Sequence, residues 1–174
     1  MITFQKIGSG DESLERVIDI YLSAFPREER RELSSIQWLL EHEESYHLIA
    51  IHLDGEVVGM FAYWDLSELV YIEYFAMDAN LRGGGLGSKA LAQMIEHIGN
   101  RKVIFEVELP SNEIAMRRID FYKRFNFTLW ETVPYEQPPY RKEDSWLPML
   151  LMTNGIEPSI GDITILQRRV YNVQ

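Results

Sequence analysis

The tightest constraint on the fold lies mid-chain, where strand, glycine turn, helix and strand follow one another. "LVYIEYFAM" (69–77) is rich in β-branched and aromatic residues and reads as a strand. It runs into "NLRGGGLGSK" (80–89), with glycine at 83, 84, 85 and 87. Leu86, Ala90, Leu91, Met94, Ile95 and Ile98 then recur at helical spacing, so a helix starts inside the glycine run, and "KVIFEVEL" (102–109) reads as the next strand. Two strands joined through a helix form a parallel βαβ crossover.

The rest of the chain has antiparallel signals. "ITFQKI" alternates as a short strand. Leu14, Val17, Ile18, Tyr21, Leu22 and Phe25 form a helical stripe that Pro26 ends, and "SSIQWLLEHE" reads as a second helix with Ser34 or Ser35 as its cap. "YHLIAIHL", the Asp54-Gly55 pair and "EVVGMFAYWD" read as a hairpin. Beyond the crossover we expect a helix from about Asn112 to Phe125, then strands in "FTLWETVPY" and "WLPMLLMTN", and over Asp162–Val170 a helix or an edge strand, with helix the favoured reading. The sum is a mixed α/β fold of the α+β type, a mostly antiparallel sheet flanked by helices. With no repeat or linker, residues 1–174 are expected to form a single domain.

Composition narrows the function classes. The formal charge of −10 argues against nucleic acid, whose affinity comes from Lys and Arg on phosphates. No apolar run approaches the roughly 18 residues of a membrane span, and the start of the chain lacks a secretion pattern. With no cysteine there is neither a disulfide framework nor a thiolate nucleophile, and these three features together make the cytoplasm the expected compartment. In "HEESYH" the second histidine comes five positions after the first, unlike the i,i+4 pair of a zinc protease, and His52 and His97 stand alone, so no metal is expected. "GLGSK" is not a Gly-x-Ser-x-Gly elbow.

Two readings of the glycine run stand on physics alone: a connecting loop, or a cradle for an anion. Glycine lets a ligand approach the backbone, and a helix N-terminus offers unpaired N–H groups and about half a positive charge. The P-loop spacing is absent, and Ser88 stands where a dinucleotide fingerprint needs its third glycine.

The segment "FAMDANLRGGGLGSKALAQMI" resembles the acyl-CoA-binding segment of the GNAT superfamily of N-acyltransferases, whose signature is Arg/Gln-x-x-Gly-x-Gly/Ala. Arg82, Gly85 and Gly87 hold its fixed positions, and "RRIDFYKRFNF" is similar to the end of the family's fourth helix. The resemblance covers roughly Leu48 to Thr153 in element order and is close from Phe75 to Phe127. It implies splayed parallel strands 4 and 5 with acetyl-CoA between them. The pyrophosphate would lie on Arg82, Gly83, Gly84, Gly85, Leu86, Gly87 and Ser88, and the pantetheine arm on the backbone of Ala76 and Met77. It also implies that Tyr122 protonates the leaving thiolate. The family's asparagine seven residues before that tyrosine is here Ala115, with Asn112 ten before; its usual Gly-Phe is Asn126-Phe127, and asparagine tolerates the left-handed conformation.

An alkylamine near pKa ~10.4 must lose a proton before it attacks, directly or through water. Glu73, a carboxylate in an apolar strand, is the first candidate to accept it, and Glu106 and Glu108 on the next strand compete. For each, the alternative is an ion pair or a solvated sheet face. In the resembled family the loop between the first two helices lines the acceptor pocket, which makes Glu28, Glu29 and Arg30 acceptor-site candidates. Trp64 and "PYEQPPYRK" are pocket wall or surface.

The leading expectation is transfer of acetyl from acetyl-CoA to a primary amine of a small molecule or peptide, by direct attack. A non-catalytic CoA- or anion-binding module is the alternative, and a nucleotide-binding protein a third. Polyamines, aminoglycosides, amino acids and peptide N-termini all suit an acidic chain. The protein is expected to be a monomer or a homodimer, with the apolar "LPMLLM" as a strand able to pair at an edge.

Overall fold

The computed structural model describes residues 1–67, 69–81 and 83–174, which fall into two compact units. The first comprises Met1–Asp65 and Ile72–Asn100, the second Leu66–Tyr71 and Arg101–Gln174.

In the first unit, β1 (Ile2–Lys6) pairs antiparallel with β2 (Tyr46–Leu53), from Ile2 opposite Leu53 to Lys6 opposite Ile49. β2 continues as a hairpin into β3 (Glu56–Leu66). The turn matches its sequence signal: Asp54 at φ 52° and Gly55 at φ 96° have the two positive dihedrals of a type I′ connection. β4 (Leu69–Met77) follows and gives this unit its last six residues.

α1 (Leu14–Ala24) buries Val17, Ile20 and Tyr21 and stops before Pro26, as its stripe predicts. α2 (Leu33–His42) starts earlier than expected. Glu32 is its cap residue, without a side-chain capping bond, and Ser34 and Ser35 lie inside the helix. The chain is pinned at Arg31 by Glu73 and Tyr74, so the helix begins directly after that anchor, whatever the capping preference of the serines. α3 (Leu86–Ile98) leaves the glycine run with Ala90, Leu91, Met94 and Ile98 buried, the expected stripe.

In the second unit the first residues of β4 lie parallel to β5 (Lys102–Glu108), pairing Leu69 with Lys102, Val70 with Val103 and Tyr71 with Ile104. The parallel ladder ends there. β5 pairs antiparallel with β8 (Leu147–Thr153), which pairs in turn with β6 (Thr128–Trp130) and with β7 (Glu136–Gln137). "LPMLLM" is therefore an inner strand, held by β5 on one side and β6 and β7 on the other. Its apolar run reflects burial within the sheet, with Met149, Leu151 and Met152 in the core.

"FTLWETVPY" forms a strand only over Thr128–Trp130. α4 (Glu113–Lys123) is capped by the Asn112 side chain, which accepts from Ala115 N–H at 2.9 Å. Asn126 takes the left-handed conformation expected of it, at φ 63°. Of the two forms open to the tail it takes the helical one: α5 (Ile160–Ile165) starts with a Ser159–Asp162 capping box and runs on into a π turn over Leu166–Val170. Among the described residues no helix is long and apolar enough to cross a membrane.

Candidate active site

β4 leads directly into the glycine turn. Gly85 caps α3 in the left-handed region, at φ 70° and ψ 6°, which favours glycine over residues with a side chain. The first intrahelical bond of the turn runs from Lys89 N–H to Gly85 O at 3.1 Å, and the cap residue, a glycine, has no side chain to bond the N–H groups of the first turn. The N–H groups of Leu86, Gly87 and Ser88 therefore precede the ladder as donors for an outside acceptor. A Cβ at Gly83, Gly84 or Gly85 would meet no atom of a described residue within 4 Å, so on the described residues the turn has room beside it for a ligand. These features fit the phosphate cradle of an acyl-CoA. Arg82, expected to add charge there, lies outside the described residues.

Gly59, on β3, was not singled out in the sequence, although a lone glycine in a strand signals a close backbone approach. A Cβ there would fall 2.8 Å from Ala76 O and 2.6 Å from Met77 Sδ. The thioether can turn away but the carbonyl cannot. Met77 also packs towards Gly87, whose added Cβ would stand 3.4 Å from Met77 Cγ. Gly59→Ala should therefore cost about 1–3 kcal/mol and weaken acetyl-CoA binding through the shifted end of β4. A melt and a calorimetric titration check the two effects separately.

Each of the three carboxylates weighed as proton acceptors has specific partners. Glu73 Oε1 accepts from Arg31 Nε at 2.7 Å and Oε2 from Trp64 Nε1 at 3.1 Å. The Arg31 and Glu73 side chains are 6% and 0% exposed. Glu106 accepts from Tyr71 at 2.7 Å, from Tyr171 at 2.7 and 2.9 Å, and from Tyr135. Glu108 pairs with Arg118 at 2.7 Å. The arginine and tyrosine partners lie far off in sequence, which hid them from a reading by local pattern.

Tyr122 differs from all three. Its ring packs against Phe105 at 4.5 Å, Phe121 at 5.2 Å and Phe127 at 6.3 Å between centroids. Its hydroxyl makes no hydrogen bond with any described residue. Burial pushes this hydroxyl up to about 12, slightly eased by the Arg118 charge. Asn112, ten residues before Tyr122, is occupied as the α4 cap.

Close to Glu73, the Tyr46 hydroxyl is buried without a hydrogen-bond partner among the described residues, and its ring stands 5.4 Å from Trp64. Burial pushes it well above its usual range, with the Glu73 charge adding to the effect. Removing an unsatisfied buried hydroxyl costs nothing, so Tyr46→Phe should leave stability unchanged or raise it by about 1 kcal/mol. Urea denaturation would reveal a hidden partner if stability fell instead.

The acetyltransferase (GNAT) family model matches residues 14–127. The chain belongs to this family. The acetyltransferase is also similar over its whole length to a putative GNAT-family acetyltransferase from Bacteroides thetaiotaomicron, with 37% identity, 99% of each chain covered and a TM-score of 0.91. A GNAT acetyltransferase from Elizabethkingia anophelis, solved with acetyl-CoA bound, shares the fold at 18% identity and a TM-score of 0.61, over 87% of this chain and 96% of that one. The spermine/spermidine N(1)-acetyltransferase of Bacillus subtilis strain 168 is 23% identical over 128 residues, 67% of this chain and 82% of that protein. Among the described residues no three acidic or histidine side chains gather as a metal site requires.

Proposed function

We propose that residues 1–174 act as one N-acetyltransferase domain that moves an acetyl group from acetyl-CoA to a primary amine of a small molecule or peptide. The observation that carries this reading is the Tyr122 hydroxyl, set on an aromatic bed with no described residue to bond. Burial keeps it protonated at physiological pH, so it can donate a hydrogen bond and then its proton to the sulfur as the C–S bond breaks.

In this reading Leu86, Gly87 and Ser88 donate N–H groups to the pyrophosphate, together with Gly83, Gly84, Gly85 and Arg82. The backbone of Ala76 and Met77 aligns the pantetheine arm, and a strand N–H near Met77 stabilises the carbonyl oxygen as it gains charge, an effect of about 2.7–4 kcal/mol where it has been removed elsewhere. Acetyl-CoA supplies the activated acetyl group as a thioester. The amine nitrogen adds to its carbonyl carbon, the C–N bond forms and the C–S bond breaks. The nitrogen's surplus proton leaves to water or a carboxylate, and the sulfur takes one from Tyr122, which solvent then restores.

A cationic amine suits a chain of formal charge −10, and spermine and spermidine are the substrates named for the Bacillus relative. The cysteine-free composition supports a cytoplasmic site of action. Thiol release from acetyl-CoA with a panel of polyamines, amino acids and peptides tests the reading. Turnover with any of them is the expected result. Calorimetric binding of acetyl-CoA without turnover across the panel would favour a non-catalytic module.

A further inference from the structure

The turn between α1 and α2 is tied to β4 by a dense set of contacts. Arg31 and Glu73 form a buried ion pair 42 residues apart, and the Arg31 guanidinium lies 5.4 Å from the centroid of the Trp64 ring. Tyr74, the next residue on β4, accepts from Arg31 N–H at 3.3 Å and donates to Glu29 O at 3.0 Å. Tyr21 donates to Arg31 O at 3.3 Å, and Arg30 reaches back to Leu22 O at 3.2 Å. The 3₁₀ turn Arg27–Glu29 is thus held through its backbone, while Glu28 on it stays exposed.

A buried ion pair is a poor source of stability, because desolvation offsets much of the attraction, but it fixes geometry sharply. This one joins the turn to the strand that continues through Ala76 and Met77 into the glycine run. We infer that Arg31 and Glu73 are positioning residues that set where the amine acceptor is held, through the Arg27–Arg31 turn, and that Glu73 does not itself take the substrate proton. This rests on the acetyltransferase reading above.

Glu73→Gln keeps the shape and removes the charge. Arg31→Met combined with Glu73→Leu replaces the pair with apolar groups of similar volume, a change that buried pairs often tolerate in folding. Both variants should raise the KM for the amine about tenfold, leave the acetyl-CoA KM and kcat within about threefold, and keep the limbs of the pH–rate profile in place. Amide exchange across residues 27–32 should quicken.

A kcat loss of about a hundredfold or more with disappearance of the acidic limb would overturn the inference, because Glu73 would then be the base. Unchanged amine KM with unchanged exchange would also overturn it, leaving the pair as a fold contact alone. The exchange measurement needs no turnover, so it separates failure of this inference from failure to find an acceptor.

Discussion

Tyr122→Phe is expected to lower acetyl transfer by about 10²–10⁴-fold, with acetyl-CoA affinity within about twofold, if this tyrosine is the acid of the proposed mechanism. The phenylalanine keeps the ring contacts to Phe105, Phe121 and Phe127, so the helix and its packing survive. What is lost is an O–H that no described residue holds. Steady-state kinetics and calorimetry on the same preparation read the two quantities, and unchanged turnover would remove Tyr122 from the chemistry. The pH dependence has a definite sign. With the folded hydroxyl at about 12 against an ordinary 10, the acid stays protonated through neutral and mildly alkaline pH. An alkaline fall in rate below pH ~10 must therefore come from another group. Between the two values the unfolded chain gives up a proton that the fold retains, so this residue makes the protein less stable as pH rises through that window.

Glu106→Leu should cost about 3–5 kcal/mol, a large part of the stability of a typical domain. Tyr71, Tyr135 and Tyr171 are buried and all donate to this carboxylate. An apolar residue leaves those donors without it, although Tyr71 and Tyr171 can still bond each other at 2.9 Å. Burial, and then the Glu106 charge, push the Tyr135 and Tyr171 hydroxyls well above their usual range, so they serve as firm donors to a charged acceptor. Glu106→Gln keeps an acceptor oxygen and should lose less. Denaturant midpoints of the two variants make the comparison, and a loss below about 1 kcal/mol for the leucine would mean that water replaces the carboxylate.

What the sequence made legible was local. The Asp54-Gly55 hairpin, the helix leaving the glycine run and the left-handed Asn126 follow from dihedral preferences carried by one or two residues. The crossover followed from periodicity over a longer window, and the positions of Gly85, Gly87 and Tyr122 from a motif. The start of α2 was misread because its serines signal a cap, whereas Arg31 is fixed by residues more than forty positions away. β8 looked like a candidate edge because an apolar run does not say how many neighbours a strand has. Nothing local tells which of 17 basic residues will meet Glu73, or that Tyr171 will reach Glu106 from 65 positions on. Gly59 alone left a usable trace, as a glycine inside a strand otherwise rich in valine and aromatic residues.

β4 serves both units, and the chain passes between them at 65–66, 71–72 and 100–101. Neither unit is a continuous stretch of polypeptide, so no single cut in the gene yields one of them whole. A fragment starting at Arg101 would lack the three residues that pair with Lys102, Val103 and Ile104, and would open β5 to solvent or to another chain. A fragment ending at Asn100 would carry those same residues with no strand to receive them. Dissection by truncation will therefore give sticky, incomplete pieces, and roles within this enzyme are better separated by point substitution in the intact chain.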